Sequence, residues 1–166
     1  TPMDAIQPNS LKARKSASTR VSRAAMVVKA AVNMPGPVSS TAIREAVGNG
    51  ERWNFRVEYI VQEEPLGLAH AVKVARPFLG RDPFVMYLGD NLIGSAISTF
   101  CRDFVAGEVD ATLLLKRVGN PSAFGIAEID ANKRVVRLVE KPKEPKSNLA
   151  LVGIYFFTAA IHQAIA

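Results

Sequence analysis

The sequence has few of the residues that build disulfides or metal clusters. It contains one cysteine, Cys101, and two histidines, His70 and His162, in 166 residues. A single cysteine cannot form an intrachain disulfide, and these three residues do not have the spacing of a zinc site. We therefore expect a reducing compartment, with the cytoplasm as the default location, and no structural metal ion.

Long hydrophobic runs are also absent. Every apolar stretch is interrupted by Gly, Lys or Asp before it approaches the roughly 18 residues that a membrane-spanning helix needs. We expect no membrane span and no membrane partner. With 48% hydrophobic and 22% charged residues, the composition predicts one soluble globular domain.

Acidic residues are nearly missing from the first 40 positions. This segment has six basic residues and a single acid, Asp4, whereas the rest of the chain has 15 basic and 14 acidic residues. No basic stripe with interleaved aromatics follows, which argues against nucleic acid as a partner. The Arg- and Ser-rich composition of residues 1–40 fits an organelle transit peptide, for a plastid or mitochondrion, or equally a disordered leader or a gene-model artefact. We therefore place the folded domain at residues 41–166.

The domain alternates between strand-like and helix-like patterns, which predicts an α/β fold. The sheet is expected to be Rossmann-like and mainly parallel, with an antiparallel hairpin insertion whose turn is at residues 130–133. The central strands are expected to include residues 57–62, 85–88 and 112–115, with Val85 and Leu88 buried. The predicted strands are 56–62, 84–88, 111–118, 125–129, 135–140 and 149–157, and the predicted helices include 67–75 and 97–105.

A carboxylate follows one of the buried strands. Asp90 comes directly after residues 84–88, at the sheet edge where open α/β folds bind ligands. Mg²⁺ takes one or two carboxylates together with substrate phosphate oxygens, so Asp90 is a candidate metal ligand. A turn Asp that caps the next helix is an equal alternative.

Two other strand ends carry polar side chains. Glu140 can accept hydrogen bonds from sugar hydroxyls and Lys141 can present a positive charge to a phosphate, although exposed lysines are ordinary in such a Pro-rich loop. Gln62 offers the donor and the acceptor of a nucleobase edge, and Gly67 leaves helix amides open. A polar loop is the alternative for these last two residues.

Together, these segments resemble the sugar-1-phosphate nucleotidylyltransferase family, most closely the glucose-1-phosphate thymidylyltransferases. The resemblance begins at about Thr41 and is carried by GNGERWNFRVEYIVQEEPLGLAHAV, FVMYLGDN, FGIAEID, RVVRLVEKPKEP and LALVGIYFF. It implies attack of a sugar 1-phosphate oxygen on the α-phosphorus of a nucleoside triphosphate, with release of pyrophosphate. The implied substrates are dTTP and glucose 1-phosphate, the implied cofactor is Mg²⁺, and a homo-oligomer is left open.

The resemblance also assigns roles to individual residues. Asp90 would hold Mg²⁺, and Asp90 and Lys141 would form the catalytic pair. The implied nucleotide-binding residues are Gln62, Pro65, Gly67 and Leu68, and the implied sugar-binding residues are Gly125, Glu140, Val152 and Gly153.

The sequence also departs from the family. Residues 1–40 contain no match to the family's glycine-rich loop, GGxGTRLxPLT, and the chain ends before the position of a second metal-binding aspartate. Three hypotheses follow: an active thymidylyltransferase completed by another segment, an inactive nucleotide-sugar-binding or regulatory fragment, or a truncated product without function.

Overall fold

The computed structural model describes residues 4–8, 37–54, 56–94, 96–106 and 108–166. The helices in these ranges are α1 (Pro37–Val47), α2 (Gly67–Leu79), α3 (Ser98–Ala106) and α4 (Ile161–Ala164), with 3-10 turns at Glu51–Trp53 and Pro121–Ala123. The strands are β1 (Asp4–Pro8), β2 (Phe84–Tyr87), β3 (Ala111–Arg117), β4 (Gly125–Ile129), β5 (Arg134–Glu140) and β6 (Leu149–Phe157). Helices packed on a sheet confirm the α/β class. No helix in the described ranges is both long and apolar enough to cross a membrane.

The sheet is built mainly from antiparallel pairs. Among the described strands the order is β2-β6-β3-β1-β5-β4, and only β1 and β5 pair in parallel. The expectation of a mainly parallel sheet is therefore wrong. Strands β2 and β3 do run parallel to each other, as strand-helix alternation requires, but β6 is antiparallel to both and lies between them.

Two segments expected at the centre of the sheet lie elsewhere. Residues 56–62 form no strand, because an extended segment joins a sheet only where a neighbouring strand supplies hydrogen bonds. Strand β2 forms, but within the described residues it is the last strand of the order and pairs only with β6. Val85 and Leu88, which were expected to be buried, are half-buried, whereas Phe84 and Met86 are buried.

The segment expected to be a leader contributes one strand. Strand β1 lies between β3 and β5, with Ala5 opposite Leu114 and Pro8 opposite Val135. Nothing in the composition of residues 1–40 predicted this strand. The rest of that segment, apart from the start of α1 at Pro37, lies outside the described residues.

Helices α2 and α3 cover opposite faces of the sheet. On one face, Val72 and Ala75 of α2 pack against Phe84 and Met86 of β2, and Tyr155 of β6 packs at the edge of this cluster. On the other face, a second cluster forms around α3 and contains Phe104, Leu114, Ile154 and Phe156. Burial of each large apolar side chain stabilises the fold by about 1.5 to 3 kcal/mol, so these clusters fix both helices relative to β6.

Candidate functional site

The candidate site is centred on an irregularity in β6. Leu151 pairs with Leu115 of β3, and Tyr155 pairs with Leu113. These paired residues are four positions apart in β6 but only two positions apart in β3. The extra residues form a bulge that contains Gly153, whose φ of +69° lies in the left-handed region. Bulges bend a strand and redirect its side chains, and they are common beside active sites.

Two different strands share the edge of β6 that faces away from β3. Strand β2 pairs with residues 154–157 of β6, and β4 pairs with residues 149–150. No described strand pairs with residues 151–153 on this edge, and the sheet divides there. We call residues 151–153, with the strand ends beside them, the fork.

The turn after β2 is fixed against one side of the fork. The amide of Leu88 donates to the carbonyl of Gly153 at 2.9 Å. Asn91 Nδ2 donates to Asp90 Oδ1 at 2.9 Å, and the hydroxyl of Tyr87 donates to the Asn91 carbonyl at 3.0 Å. The carboxylate of Asp90 is exposed, with one oxygen held by Asn91 and no hydrogen bond to the other from the described residues.

The ends of β4 and β5 lie at the other side of the fork. Gly125 is opposite Glu140 in the β4–β5 ladder. A Cβ atom at position 125 would lie 3.0 Å from Glu140 Oε2 and 3.2 Å from Leu151 Cδ1. The glycine therefore leaves space for the Glu140 carboxylate beside β6.

Lys141 continues directly from Glu140 with a left-handed backbone, at φ +43°. Its amide donates to the Phe124 carbonyl at 3.0 Å, which holds the end of β5 beside the start of β4. Lys141 Nζ lies 3.9 Å from Glu140 Oε1, and both side chains are largely exposed. An exposed pair of this kind contributes little to stability, so both charges are accessible to a ligand.

Tyr155 connects the two sides of the fork electrostatically. Burial is the first cause that raises the pKa of its phenol, and the negative charges of Glu140 and then Asp90 raise it further. One carboxylate at the end of β5 and another in the turn after β2 thus act on one hydroxyl group. We did not identify Tyr155 from the sequence, although it is the only hydroxyl-bearing side chain within the apolar run of β6.

The residues assigned to the nucleotide lie at the start of α2. Gln62 is half-buried, and its Nε2 donates to the Gly67 carbonyl at 3.1 Å and lies 2.9 Å from His70 Nδ1. Gly67 has a φ of +84°, and nothing lies within 4 Å of the place a Cβ atom would take. No side chain caps the N-terminus of α2, so its first amides are open to an acceptor. Pro65 and Leu68 are exposed beside them.

The chain topology brings the start of α2 toward the fork. The C-terminus of α2 leads through residues 80–83 into β2, so the helix and the strand run in opposite directions along the same face. The N-terminus of α2 therefore lies toward the end of the sheet where β2 ends and Asp90 begins. The convergence of Gln62, Asp90 and Lys141 on a single cleft stays a prediction.

Val152 differs from the other residues assigned to the sugar. Its side chain packs against the α3 cluster, on the face opposite Tyr155. Only its backbone is on the fork. Gly125, Glu140 and Gly153, in contrast, all border the fork directly.

The carboxylates of the described residues do not form a complete metal cage. No group of three or more His, Cys, Asp or Glu side chains in the described ranges could hold a metal ion on its own. Asp90, with its second oxygen unengaged, fits a Mg²⁺ ion that takes its remaining ligands from phosphate oxygens and water.

Curated proteins are similar to this chain over about three quarters of its length. A glucose-1-phosphate thymidylyltransferase from Streptomyces griseus is 51% identical over 121 residues, which cover 73% of this chain and 34% of that protein. The corresponding protein from Streptomyces antibioticus is 53% identical over 124 residues, which cover 74% of this chain and 35% of that protein. The chain thus spans about a third of the length of these curated relatives.

A solved structure has the same fold. It is of a protein described as a glucose-1-phosphate thymidylyltransferase from Bacillus anthracis, in complex with a sucrose. Its TM-score is 0.66 at 34% identity, over 71% of this chain and 48% of that chain.

A family model described as nucleotidyl transferase matches residues 22–166. The match begins inside the segment that composition separates from the domain, so a boundary at residue 40 stays a prediction. Enzymes of this family generally use a divalent metal ion. With most of its length matched by the family model, the chain belongs to the nucleotidyl transferase family.

Proposed function

We propose that the protein transfers a thymidylyl group from dTTP to glucose 1-phosphate, which gives dTDP-glucose and pyrophosphate. The observation that carries the proposal is the geometry of the fork, where Gly125 leaves room for Glu140 beside β6 and the amide of Leu88, two residues before Asp90, donates to Gly153. The names of the relatives, about half identical over this region, support both substrates. The proposal covers the whole protein, of which this chain contains the fork and the start of α2.

In this proposal the fork binds the sugar and its phosphate. Glu140 accepts hydrogen bonds from sugar hydroxyls, because Gly125 leaves its carboxylate room beside β6. Lys141, on the next residue, supplies a positive charge for the phosphate. Gly153 keeps the backbone of β6 open to the ligand, since it has no side chain to occupy the bulge.

The reaction joins two anions at one phosphorus. A sugar 1-phosphate oxygen forms a bond to the α-phosphorus of dTTP, and the bond from that phosphorus to the bridging oxygen of pyrophosphate breaks. Catalysis of such a displacement comes from in-line positioning and charge neutralisation, and it needs no covalent intermediate on the enzyme. Lys141 contributes to both effects.

Asp90 is the residue that would hold Mg²⁺. When bound, the ion would neutralise charge on the triphosphate oxygens. Asn91 donates a 2.9 Å hydrogen bond to the Asp90 carboxylate, which favours one orientation of the proposed metal ligand.

Titration of the purified 166-residue chain with dTDP-glucose, followed by calorimetry, tests the proposal. We expect measurable but weak binding, which Glu140→Gln weakens because the amide presents one acceptor oxygen instead of two. Asp82→Asn is the control, because Asp82 is exposed and precedes β2, at the opposite end of that strand from Asp90. Absence of dTDP-glucose binding, or an equal loss of affinity in the control, would contradict the proposal.

A further inference from the structure

The orientation of the Gln62 side-chain amide is determined by the groups around it. One atom of this amide lies 3.1 Å from the carbonyl oxygen of Gly67. A carbonyl oxygen can only accept a hydrogen bond, so the atom that faces it is the nitrogen, Nε2. The amide oxygen Oε1 therefore points elsewhere.

His70 accepts the second hydrogen bond from the same nitrogen. Its Nδ1 lies 2.9 Å from Gln62 Nε2. Because Nε2 is a donor only, a hydrogen bond between these two atoms requires the lone pair on Nδ1, which places the ring proton on Nε2 of the imidazole. Both N–H groups of Gln62 are thus used within the protein, and Oε1 has no hydrogen-bond partner among the described residues.

We propose that His70 is a positioning residue that makes Gln62 select bases with a ring N–H. This inference rests on the proposed function and on the contact of Gln62 with the base that the family resemblance implies. An amide that presents only Oε1 accepts a hydrogen bond from N3–H of thymine or uracil. Cytosine has an unprotonated N3 at the same place, so its lone pair would face the lone pairs of Oε1.

The orientation depends on His70 because the Gly67 carbonyl satisfies only one of the two N–H groups. Without an acceptor at position 70, the second N–H of Gln62 lacks its partner, and the amide, held only by the 3.1 Å bond to the Gly67 carbonyl, rotates more readily toward the ligand. A rotated amide presents a donor, which suits cytosine. Loss of the acceptor at position 70 is thus expected to reduce discrimination between the bases.

Two substitutions at position 70 separate this role from a structural one. His70→Leu removes the acceptor, whereas His70→Asn keeps an acceptor oxygen at the δ position. We expect the ratio of dTDP to dCDP affinity to fall about fivefold in His70→Leu, the value of roughly one neutral hydrogen bond, and to be largely retained in His70→Asn. Lys73→Leu, an exposed position on the same helix, is the control and should leave the ratio unchanged. Equal losses for both nucleotides in His70→Leu, or an unchanged ratio, would overturn the inference.

A second measurement needs no nucleotide. Nitrogen NMR of the full chain distinguishes the two neutral tautomers of His70. We expect a protonated Nε2 and an unprotonated Nδ1, and a proton on Nδ1 would overturn the inference. If this tautomer is found but the chain binds neither nucleotide, the fixed amide is supported and the proposed function fails.

Discussion

Gly153 lies directly against the side chain of Asn91. A Cβ atom built on Gly153 would come within 2.5 Å of Asn91 Nδ2 and 3.0 Å of Leu88 Cδ1. The bulge in β6 and the turn that carries Asp90 are therefore in contact only because position 153 has no side chain.

The first prediction follows from this contact. Gly153→Ala forces a left-handed backbone on an L-residue and pushes Asn91 away, so we expect the free energy of unfolding to fall by about 2 kcal/mol. Urea denaturation measures the change. Gly119→Ala is the matched control, because a Cβ atom there meets nothing within 4 Å. Equal stability of the two variants would show that β6 adapts to a side chain at the bulge.

The second prediction concerns the phenol of Tyr155. Since Glu140 and Asp90 both raise its pKa after burial, Glu140→Gln and Asp90→Asn should each lower that pKa, and the double variant should lower it further. Spectrophotometric titration in a background with Tyr59→Phe and Tyr87→Phe observes Tyr155 alone. A pKa that neither substitution moves would mean that the two carboxylates do not face one site.

The raised pKa of Tyr155 also determines the direction in which the free energy of unfolding changes with pH. The unfolded phenol loses its proton at about pH 10, whereas the folded one holds it to a higher pH. The stabilisation that the folded protein gives to the protonated phenol is therefore complete below about pH 10. It is lost as the pH rises through the pKa of the folded state.

The third prediction concerns the turn between β4 and β5. Asp130 Oδ1 accepts hydrogen bonds from the amides of Arg134 and Asn132, both at 2.9 Å, and Oδ2 accepts one from Arg134 Nε at 2.8 Å. The amide of Arg134 is the first cause that lowers the pKa of Asp130. The stabilisation is present above the unfolded value of about 3.9 and is lost as the pH falls through the folded value.

Denaturation at neutral pH can separate the hydrogen bonds of Asp130 from its charge. Asp130→Asn keeps an oxygen for both amides, whereas Asp130→Ala keeps none. We expect Asp130→Ala to destabilise the protein more than Asp130→Asn does. The reverse order would assign the stability of the turn to the charge.

The fourth prediction concerns His162, which is 7% exposed. Its ring stacks on Phe84 with centroids 6.2 Å apart, and within the described residues neither ring nitrogen has a hydrogen-bond partner. Because His162→Phe removes two unsatisfied polar atoms from an apolar site, we expect thermal denaturation to show a gain of about 1 kcal/mol. His70→Phe is the contrasting substitution, since it removes a hydrogen bond and should not stabilise. A loss of stability in His162→Phe would indicate that the imidazole is satisfied in solution.

Local sequence patterns predicted most strand boundaries correctly. Strands β4 and β6 have the predicted ends, and β3 and β5 differ from their predicted bounds by one residue. The turn residues Asp130 and Asn132 were sufficient to place the hairpin, because the Asp side chain bonds to backbone only a few positions away. These features depend on short-range interactions, which a single sequence records well.

Pairing partners could not be predicted in the same way. The position of β6 between β2 and β3 depends on contacts between residues about 70 and 40 positions apart, which no local pattern encodes. The same is true of β1, whose residues have no strand-like alternation but pair with β3.

The residues of the candidate site also differ in whether local sequence or long-range contacts determine their role. Gln62, Asp90 and Glu140 could be identified because each lies at or just after the end of a predicted strand and matches a family motif, although the strand predicted at 56–62 does not form. Tyr155 and His70 were missed as functional candidates because their importance comes from neighbours. From the sequence, His70 was considered only as a metal ligand, because its hydrogen bond to Gln62 depends on how the loop before α2 returns to the helix.

Strands β2 and β4 pair with different parts of the same edge of β6. The two sides of the site are therefore attached to β6 separately. Under the proposed function, we expect substitutions in the β4–β5 hairpin to alter which sugar binds, while the turn that carries Asp90 keeps its own hydrogen bond to Gly153. Under the same proposal, we expect changes in the β2 turn to move the Asp90 carboxylate without disturbing Gly125 and Glu140. Lys141, proposed to face the phosphate, directly follows Glu140 at the end of β5, so only the turn that carries Asp90 is anchored apart from the residues proposed for the sugar.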